Sequence, residues 1–284
     1  MKSIPERYTR EMHTRYGYLA CWLPSTPLAL GDVGLASEHG FRKVSTLDEM
    51  GIAFTRGAKS KIVDLDYSSA DCVAVAADNR LEVAPAGLAT HLSITFDQGG
   101  ATLFQASDCV QEPMGNLLAL QAALREHYRN GTWRREYVVV TEVVRTGPTA
   151  ILVSEQQGAR IDLRVSAGVT GGPLAVAGAL GRYTVTSKSG IAASVLAPEG
   201  ATPLFQAVQL RRRLVGQPEL VLRSDDDDDD YDDEDEMSNR GSDVAEGGAS
   251  ADDPSEWELD LTRLTWSDLA SWQRFDLHDA RTDR

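Results

Sequence analysis

No stretch of eighteen apolar residues occurs in the chain, so the sequence encodes no transmembrane helix. Membrane strands stay open, because they leave only a weak alternating signal. Cysteine is scarce: Cys21, Cys72 and Cys109 are odd in number, widely spaced and lack a CxxC pair. This argues against a disulfide framework or a zinc site and for three small buried hydrophobes in a reducing compartment. The N-terminal MKSIPERYTREMHTRYGY carries charge throughout and has no apolar core of a signal peptide. The expectation is a soluble chain in the cytoplasm. Metal-ligand spacing is missing among His13, His39, His91, His127 and His278, and HExxH, GxSxG, GxxxxGK[ST] and a GxGxxG after a strand are absent.

Acidity is abundant but uneven. The 284 residues carry a formal net charge of −15. Residues 224–284 hold 22 carboxylates against 5 arginines, a net of −17, which leaves +2 for residues 1–223. The pI of 4.7 therefore belongs to the tail. Eleven of the twelve residues at 225–236 are carboxylates, which repel one another and cannot be ordered by burial. The expected organisation is one body (1–223), an acidic disordered linker (224–253) and a short segment (254–284). That last segment contains three of the five tryptophans. Trp257, Trp266, Trp272 and Phe275 read as docking anchors, because aromatic residues are the usual anchors of interfaces.

The body reads as strands with two helices. A charged helix from Pro5 to about Arg15 is followed by YGYLACWLP, a β-rich run. LALGDVGLASEHGFRKV reads as strand, turn, strand, and Ser45–Glu49 has the form of a helix cap. Leu92, Ile94 and Phe96 alternate with polar residues. Gln98-Gly99-Gly100 then signals a turn, with ATLFQAS as the partner strand. An amphipathic helix is expected from Pro113 to about Arg129, with Leu117, Leu120, Leu124 and Tyr128 on one face and Asn130-Gly131 closing it. EYVVVTEVV is a strand, and AILVSEQQGARIDLRVS reads as a hairpin around Gln156 to Gly158 in which Ile161, Leu163 and Val165 alternate. GRYTVTS is a further strand. ATPLFQAVQLRRRL fits either a strand or a helix.

Chemistry-bearing residues are few. Cys109 with His127 could form a nucleophile and base, but no motif surrounds either. His91 reads as a structural strand histidine. Asp64 and Asp66 share a strand face without a third oxygen donor, which fits a solvated surface better than a cation site. The expectation is a protein without catalytic residues, metal or cofactor. The basic clusters are Lys2, Arg7, Arg10 and Arg15, then Arg134 and Arg135, then Arg211, Arg212 and Arg213. They could meet anionic lipid, and an ordinary charged surface explains them equally well. A body at +2 argues against nucleic acid.

REYVVVTEVVRT at 135–146 follows the amphipathic helix. This run resembles the strand of form YVVTEVLQT in the N-terminal pore-forming domain of the gasdermins. Downstream, TVTSKSGIAASVLAPEGATPLFQAVQL is similar to their TVTIPSGSTLAFRVAQL: it keeps the TVT start, the glycine-plus-hydroxyl turn and the final Gln-Leu run. The resemblance covers about 110–212, and over 16–106 it is one of order and pattern. It implies an α+β fold, a twisted and mainly antiparallel sheet with surrounding helices.

It further implies that an inhibitory C-terminal portion is removed by an activating protease. The released domain then binds anionic membrane lipids, assembles into rings and refolds two regions into membrane hairpins. Those regions fall near Asp71 to Ser107 and Ala150 to Ser187, with Leu92, Ile94, Phe96, Ile161, Leu163 and Val165 as cores of their arms. Arg7, Arg10, Arg15, Arg134, Arg135, Arg211, Arg212 and Arg213 are the candidate lipid contacts, and Arg223 and Arg240 the candidate cut sites. The outcome implied is permeabilisation at the inner face of the cell membrane and cell death in defence. About 60 residues remain for inhibition, as in the short segments of bacterial members. No cysteine precedes Cys21, so lipid modification is not carried over. The competing expectation is a non-enzymatic scaffold whose acidic, tryptophan-bearing tail recruits a basic partner.

Overall fold

The computed structural model describes residues 3–22, 27–37, 40–69, 72–84, 87–166, 183–197, 199–214, 257–265 and 268–269. The chain begins with α1 (Ile4–Tyr16), β1 (Leu19–Ala20), β2 (Asp32–Ser37), β3 (Gly40–Thr46), β4 (Ser60–Lys61), β5 (Leu65–Ser68), β6 (Val73–Ala84), β7 (Gly87–Phe96), β8 (Thr102–Ala106) and β9 (Val110–Pro113). Then come α2 (Leu117–Arg129), β10 (Val138–Thr146), β11 (Thr149–Ser154), β12 (Ala159–Ser166), β13 (Tyr183–Ser189), β14 (Ile191–Ala197), β15 (Ala201–Leu214) and β16 (Trp257–Arg263). The chain divides into two units, Met1–Leu210 with Leu261–Arg284, and Arg211–Asp260. In the second, the described parts are the end of β15 and the start of β16.

Local chemistry explains both helices. Ser3 and Glu6 form a reciprocal capping box, Pro5 sits in the first turn, and Gly17 closes α1 at φ 70°. Tyr8 and Met12, one turn apart, are its buried face. The second helix starts at Leu117, not Pro113: Pro113 ends β9, and the Asn116 side chain accepts the Ala119 N–H as the cap. Leu120 and Leu124 are buried, whereas Leu117 and Leu118 are 41% and 80% exposed, so the apolar face is narrower than its leucines suggest. The cap at Ser45–Glu49 forms without a helix. Thr46 and Glu49 make the reciprocal bonds, and Gly51 at φ 71° ends the turn at once.

The strands pair antiparallel in three sheets. One has eight strands, ordered β1-β15-β10-β2-β3, with β9 beside β10, β4 beside β9, and β16 beside β15. A middle sheet is ordered β14-β11-β8-β5 and an outer sheet β13-β12-β7-β6. These sheets share a plan. β4-β5-β6, β7-β8-β9, β10-β11-β12 and β13-β14-β15 are four consecutive runs, and each neighbours the same runs in every sheet. The fold is thus one four-run antiparallel ribbon, bent at two levels. The ambiguous ATPLFQAVQLRRRL is β15, because β10 supplies its ladder from Val138↔Gln209 to Thr146↔Ala201.

Two expected hairpins are corrected by this plan. ATLFQAS (β8) does not pair with β7, and AILVS (β11) does not pair with ARIDLRVS (β12); each pair is one run turning a corner between sheets. Ser154 supplies the physical reason. Its buried Oγ donates to the Gln98 carbonyl at 2.6 Å and accepts the Ala101 N–H at 2.9 Å. It thereby joins two runs where their ladders break.

The outer and middle sheets pack face to face. Leu92, Ile94, Phe96, Ile161, Leu163 and Val165 meet Leu103, Ala150 and Leu152 in one core. The other face of the middle sheet, with Phe104, Ala106, Ile151, Val153 and Ala193, packs with Tyr8 and Met12 of α1. The middle sheet is therefore apolar on both faces, and β8 and β11 are buried throughout.

Candidate functional site

Two regions stand out, the docked end of the tail and the amphipathic arms of the ribbon. On β15, β1 covers Leu204 and Phe205, and β16 also joins this strand. The Leu264 N–H donates to the Ala207 carbonyl at 2.9 Å. Leu264 and Leu269, each 2% exposed, enter the core formed by Leu19, Val138, Val140 and Phe205. Between them Asp268 accepts the Thr265 N–H at 2.7 Å and the Thr265 hydroxyl at 2.8 Å, half of a capping box. Arg263 donates to the Gly17 carbonyl at 2.8 Å, just past α1. Burial first, and then the Arg263 charge, push His13 below its ordinary pKa.

Beside this contact lies a polar cluster. The Tyr18 hydroxyl donates to Glu142 Oε1, and Gln111 Nε2 donates to the same oxygen at 2.8 Å. Burial and then the bond to Glu142 push the Tyr18 phenol up, so it stays a donor.

The expected tail anchors fall outside what is described. Trp257 opens β16, but its side chain lies outside the described residues, as do Trp266, Trp272 and Phe275 altogether. Arg223 and Arg240 also lie outside them. The described anchors are two leucines. Their signal was present as a Thr-x-x-Asp cap at 265–268 directly before Leu269.

The six hairpin residues are brought together. β7 and β12 are adjacent, with Ile94 opposite Ile161 and Leu92 opposite Leu163, and all six side chains are buried. Within each run, one parity holds the apolar residues in both sheets. Run one has Leu65, Tyr67, Val73 and Val75; run two has Leu92, Ile94, Phe96, Phe104 and Ala106. Run three has Ile151, Val153, Ala159, Ile161, Leu163 and Val165; run four has Tyr183, Val185, Ala193 and Val195. The opposite parity is mainly polar in the outer sheet, with Ser93, Thr95, Arg160, Asp162, Arg164 and Thr184, whereas in the middle sheet it carries Leu103, Ala150, Leu152 and Leu196 beside Gln105. The apolar parity is therefore the same on both sides of the corner, while at the corner itself it carries Gln98 and Thr102 in run two and Glu155 and Gln157 in run three.

The basic candidates fall in three places. Arg7 is half-buried and paired with Glu11 at 2.9 Å, Arg10 is half-buried, and Arg15 is exposed with its guanidinium 5.9 Å from the Tyr16 ring centroid. Arg134 and Arg135 are exposed in the turn after α2. Arg211 is half-buried in β15, and of Arg212 and Arg213 only the strand is described. Lys2 lies outside the described residues.

Cys109 and His127 are engaged separately. Cys109 is buried, its thiol lies 3.5 Å from the Ala106 carbonyl, and burial pushes its pKa up to about 11. His127 Nδ1 pairs with Thr132 Oγ1 at 2.9 Å. Asp64 accepts the Asp108 N–H, and Asp66 accepts the Gln105 amide. Among the described residues, no group of three or more His, Cys, Asp or Glu could hold a metal ion.

The ion pairs of Glu112 left no mark in the sequence. This carboxylate is 4% exposed and receives Lys59 at 2.7 Å and Arg145 at 3.1 Å. Burial pushes its pKa up, but those two bonds and charges outweigh burial and hold it below the ordinary 4.5. The folded state thus binds the proton less readily than the unfolded chain. The contribution is present above about pH 4.5 and is lost as pH falls through the lowered value. Glu112→Gln is expected to cost about 1 kcal/mol at neutral pH, since both cations are partly solvated. The gap between wild-type and variant melting temperatures should narrow as pH falls from about 4.5 and close once it passes the lowered pKa, in a calorimetric series.

No protein-family model matches the chain, and no curated protein matches it.

Proposed function

We propose that the protein is a pore-former of the gasdermin type, held inactive by its tail. The observation that carries this reading is that each run keeps its apolar residues on the same parity on both sides of the bend, with polar residues on that parity only at the bend itself. A soluble two-sheet core requires alternation only within each sheet. A membrane strand requires it over about 9–11 residues in one phase. The two-sheet arms of runs two and three, Gly87–Ala106 and Thr149–Ser166, exceed that length. Straightened, the ribbon would present one mainly apolar face, broken by polar residues at the bend, and an opposite face that is polar along the outer-sheet strands, where a water-filled lumen would lie.

Activation would be proteolytic cleavage in the acidic stretch, where polar chain is open to proteases. Losing the tail removes a net of −17 from a body of +2 and lowers its repulsion from anionic lipid. The released bodies would bind the inner face of the cell membrane, assemble into rings and permeabilise it, killing the cell in defence.

The test is dye release from liposomes of phosphatidylglycerol and phosphatidylcholine. A chain ending at Arg223 should release dye, and more slowly as salt rises, whereas the full chain should leave the vesicles sealed. A folded truncated chain that releases nothing at any ionic strength would reject the reading in favour of a scaffold.

A further inference from the structure

We infer that the Arg7–Glu11 pair of α1 is a latch that holds the ribbon bent at the corner between its outer and middle sheets. Run one leaves the middle sheet after β5 at Ser69 and run two turns the corner at Asp97–Ala101, and the pair reaches both. Arg7 donates through Nη1 to the Gly99 carbonyl at 3.1 Å and through Nε to Glu11 Oε1 at 2.9 Å. Glu11 uses its other oxygen, Oε2, to accept the Ser69 hydroxyl at 3.2 Å. Ser69 Oγ in turn accepts the Thr102 N–H at 2.9 Å, and the Ser69 N–H returns to the Thr102 carbonyl at 2.9 Å. A continuous hydrogen-bonded path therefore runs from the corner of run two, through the helix, to the corner of run one.

The corner is shaped to receive the guanidinium. Gly100 lies at φ 75°, and a Cβ there would sit 3.2 Å from Arg7 Nη1. A Cβ on Gly99 would come within 2.9 Å of the Glu155 carbonyl oxygen of run three. Gly100 thus leaves bare backbone where the side chain arrives, and Gly99 lets the corner pass close to run three. Beneath the pair, buried Tyr8 and Met12 fix the helix against the middle sheet.

An i,i+4 pair on a free helix surface serves only its own helix. Here the two side chains are 33% and 16% exposed, and each has a second partner on a different run. The geometry thus makes α1 a clamp whose release frees two adjacent corners together. The latch stands apart from the pore reading; its consequence for leakage rests on it.

Hydrogen exchange on the full chain tests the latch. Arg7→Gln should raise exchange of the Gly100, Ala101 and Thr102 amides about tenfold, since a charge-assisted bond is lost. Amides of Leu120 and Leu124 in α2 should keep their protection, which excludes general unfolding. Arg7→Glu with Glu11→Arg restores the helix pair but offers no donor to Gly99 and no acceptor to Ser69, so the corner should stay open. Unchanged exchange in Arg7→Gln, or protection restored by the exchanged pair, overturns the latch.

In chains ending at Arg223, Glu11→Ala, which breaks the latch and removes no candidate lipid contact, should also speed dye release about tenfold. If the truncated wild type leaks and the variant leaks no faster, the latch is overturned while the pore reading stands. If the truncated wild type never leaks, the pore reading fails and the exchange result alone decides the latch.

Discussion

Full-length protein carrying Leu264→Asp and Leu269→Asp is expected to release dye from anionic liposomes with no protease present. Both leucines are 2% exposed inside the core that includes Val138 and Phe205. Removing a buried leucine costs about 2–5 kcal/mol. An unpaired carboxylate in its place adds a desolvation penalty. Among the described residues, the contacts set against this loss include the Leu264–Ala207 bond, the Arg263–Gly17 bond and the pairing of β16 along β15. Two such changes should lower the docked population by about a thousandfold or more. The tail, as the local element, should detach before the body unfolds.

The control is Leu264→Met with Leu269→Met, which keeps the volume and should keep the vesicles sealed. Release of the tail is measured separately, by trypsin cleavage at Arg263. If Arg263 becomes cleavable and the liposomes stay intact, docking is not what inhibits, and the tail's charge is left as the barrier to anionic lipid.

The elements were legible in the sequence, but their pairing was not. Ser3, Glu6 and Pro5 start α1, and the β-branched run around Val138–Val144 makes a strand, because these are local effects. Gln98-Gly99-Gly100 and Gln156–Gly158 carry good turn chemistry, and between alternating segments the simplest outcome is a hairpin. The structure uses the same residues as corners. What decides between the two is nonlocal: Ser154 reaches Gln98 from another run, and β8 finds β11 and β5. A single sequence shows the turn but not which strand waits beyond it. The tail behaves likewise. Composition marked 254–278 as a docking segment through its aromatic residues, whereas the described contacts are made by leucines, which no count singles out. Glu112 was illegible for a related reason, since Lys59 and Arg145 come from two other strands' neighbourhoods.

Arginine at Val75 and Val185 should separate the soluble fold from the membrane state. Both are on the apolar parity: Val75 lies opposite Ile94, and Val185 opposite Leu163. Yet they are 40% and 41% exposed, because β6 and β13 are the edges of the outer sheet. A substitution at an exposed edge typically shifts stability by about 0.5 kcal/mol, and a long arginine can turn its charge to water. Val75→Arg with Val185→Arg should therefore melt within a few degrees of wild type. In the straightened ribbon the same positions face lipid, where arginine near the midplane costs about 2–4 kcal/mol each. In chains ending at Arg223, the pair should cut the dye-release rate at least about a hundredfold. Ser93→Arg, on the polar parity, should leave that rate nearly unchanged. If the valine variant leaks like wild type while the serine variant does not leak, the polar parity is the lipid-facing one. If both leak like wild type, the outer sheet never meets lipid, and the shared phase of the four runs reflects only the packing of two soluble sheets.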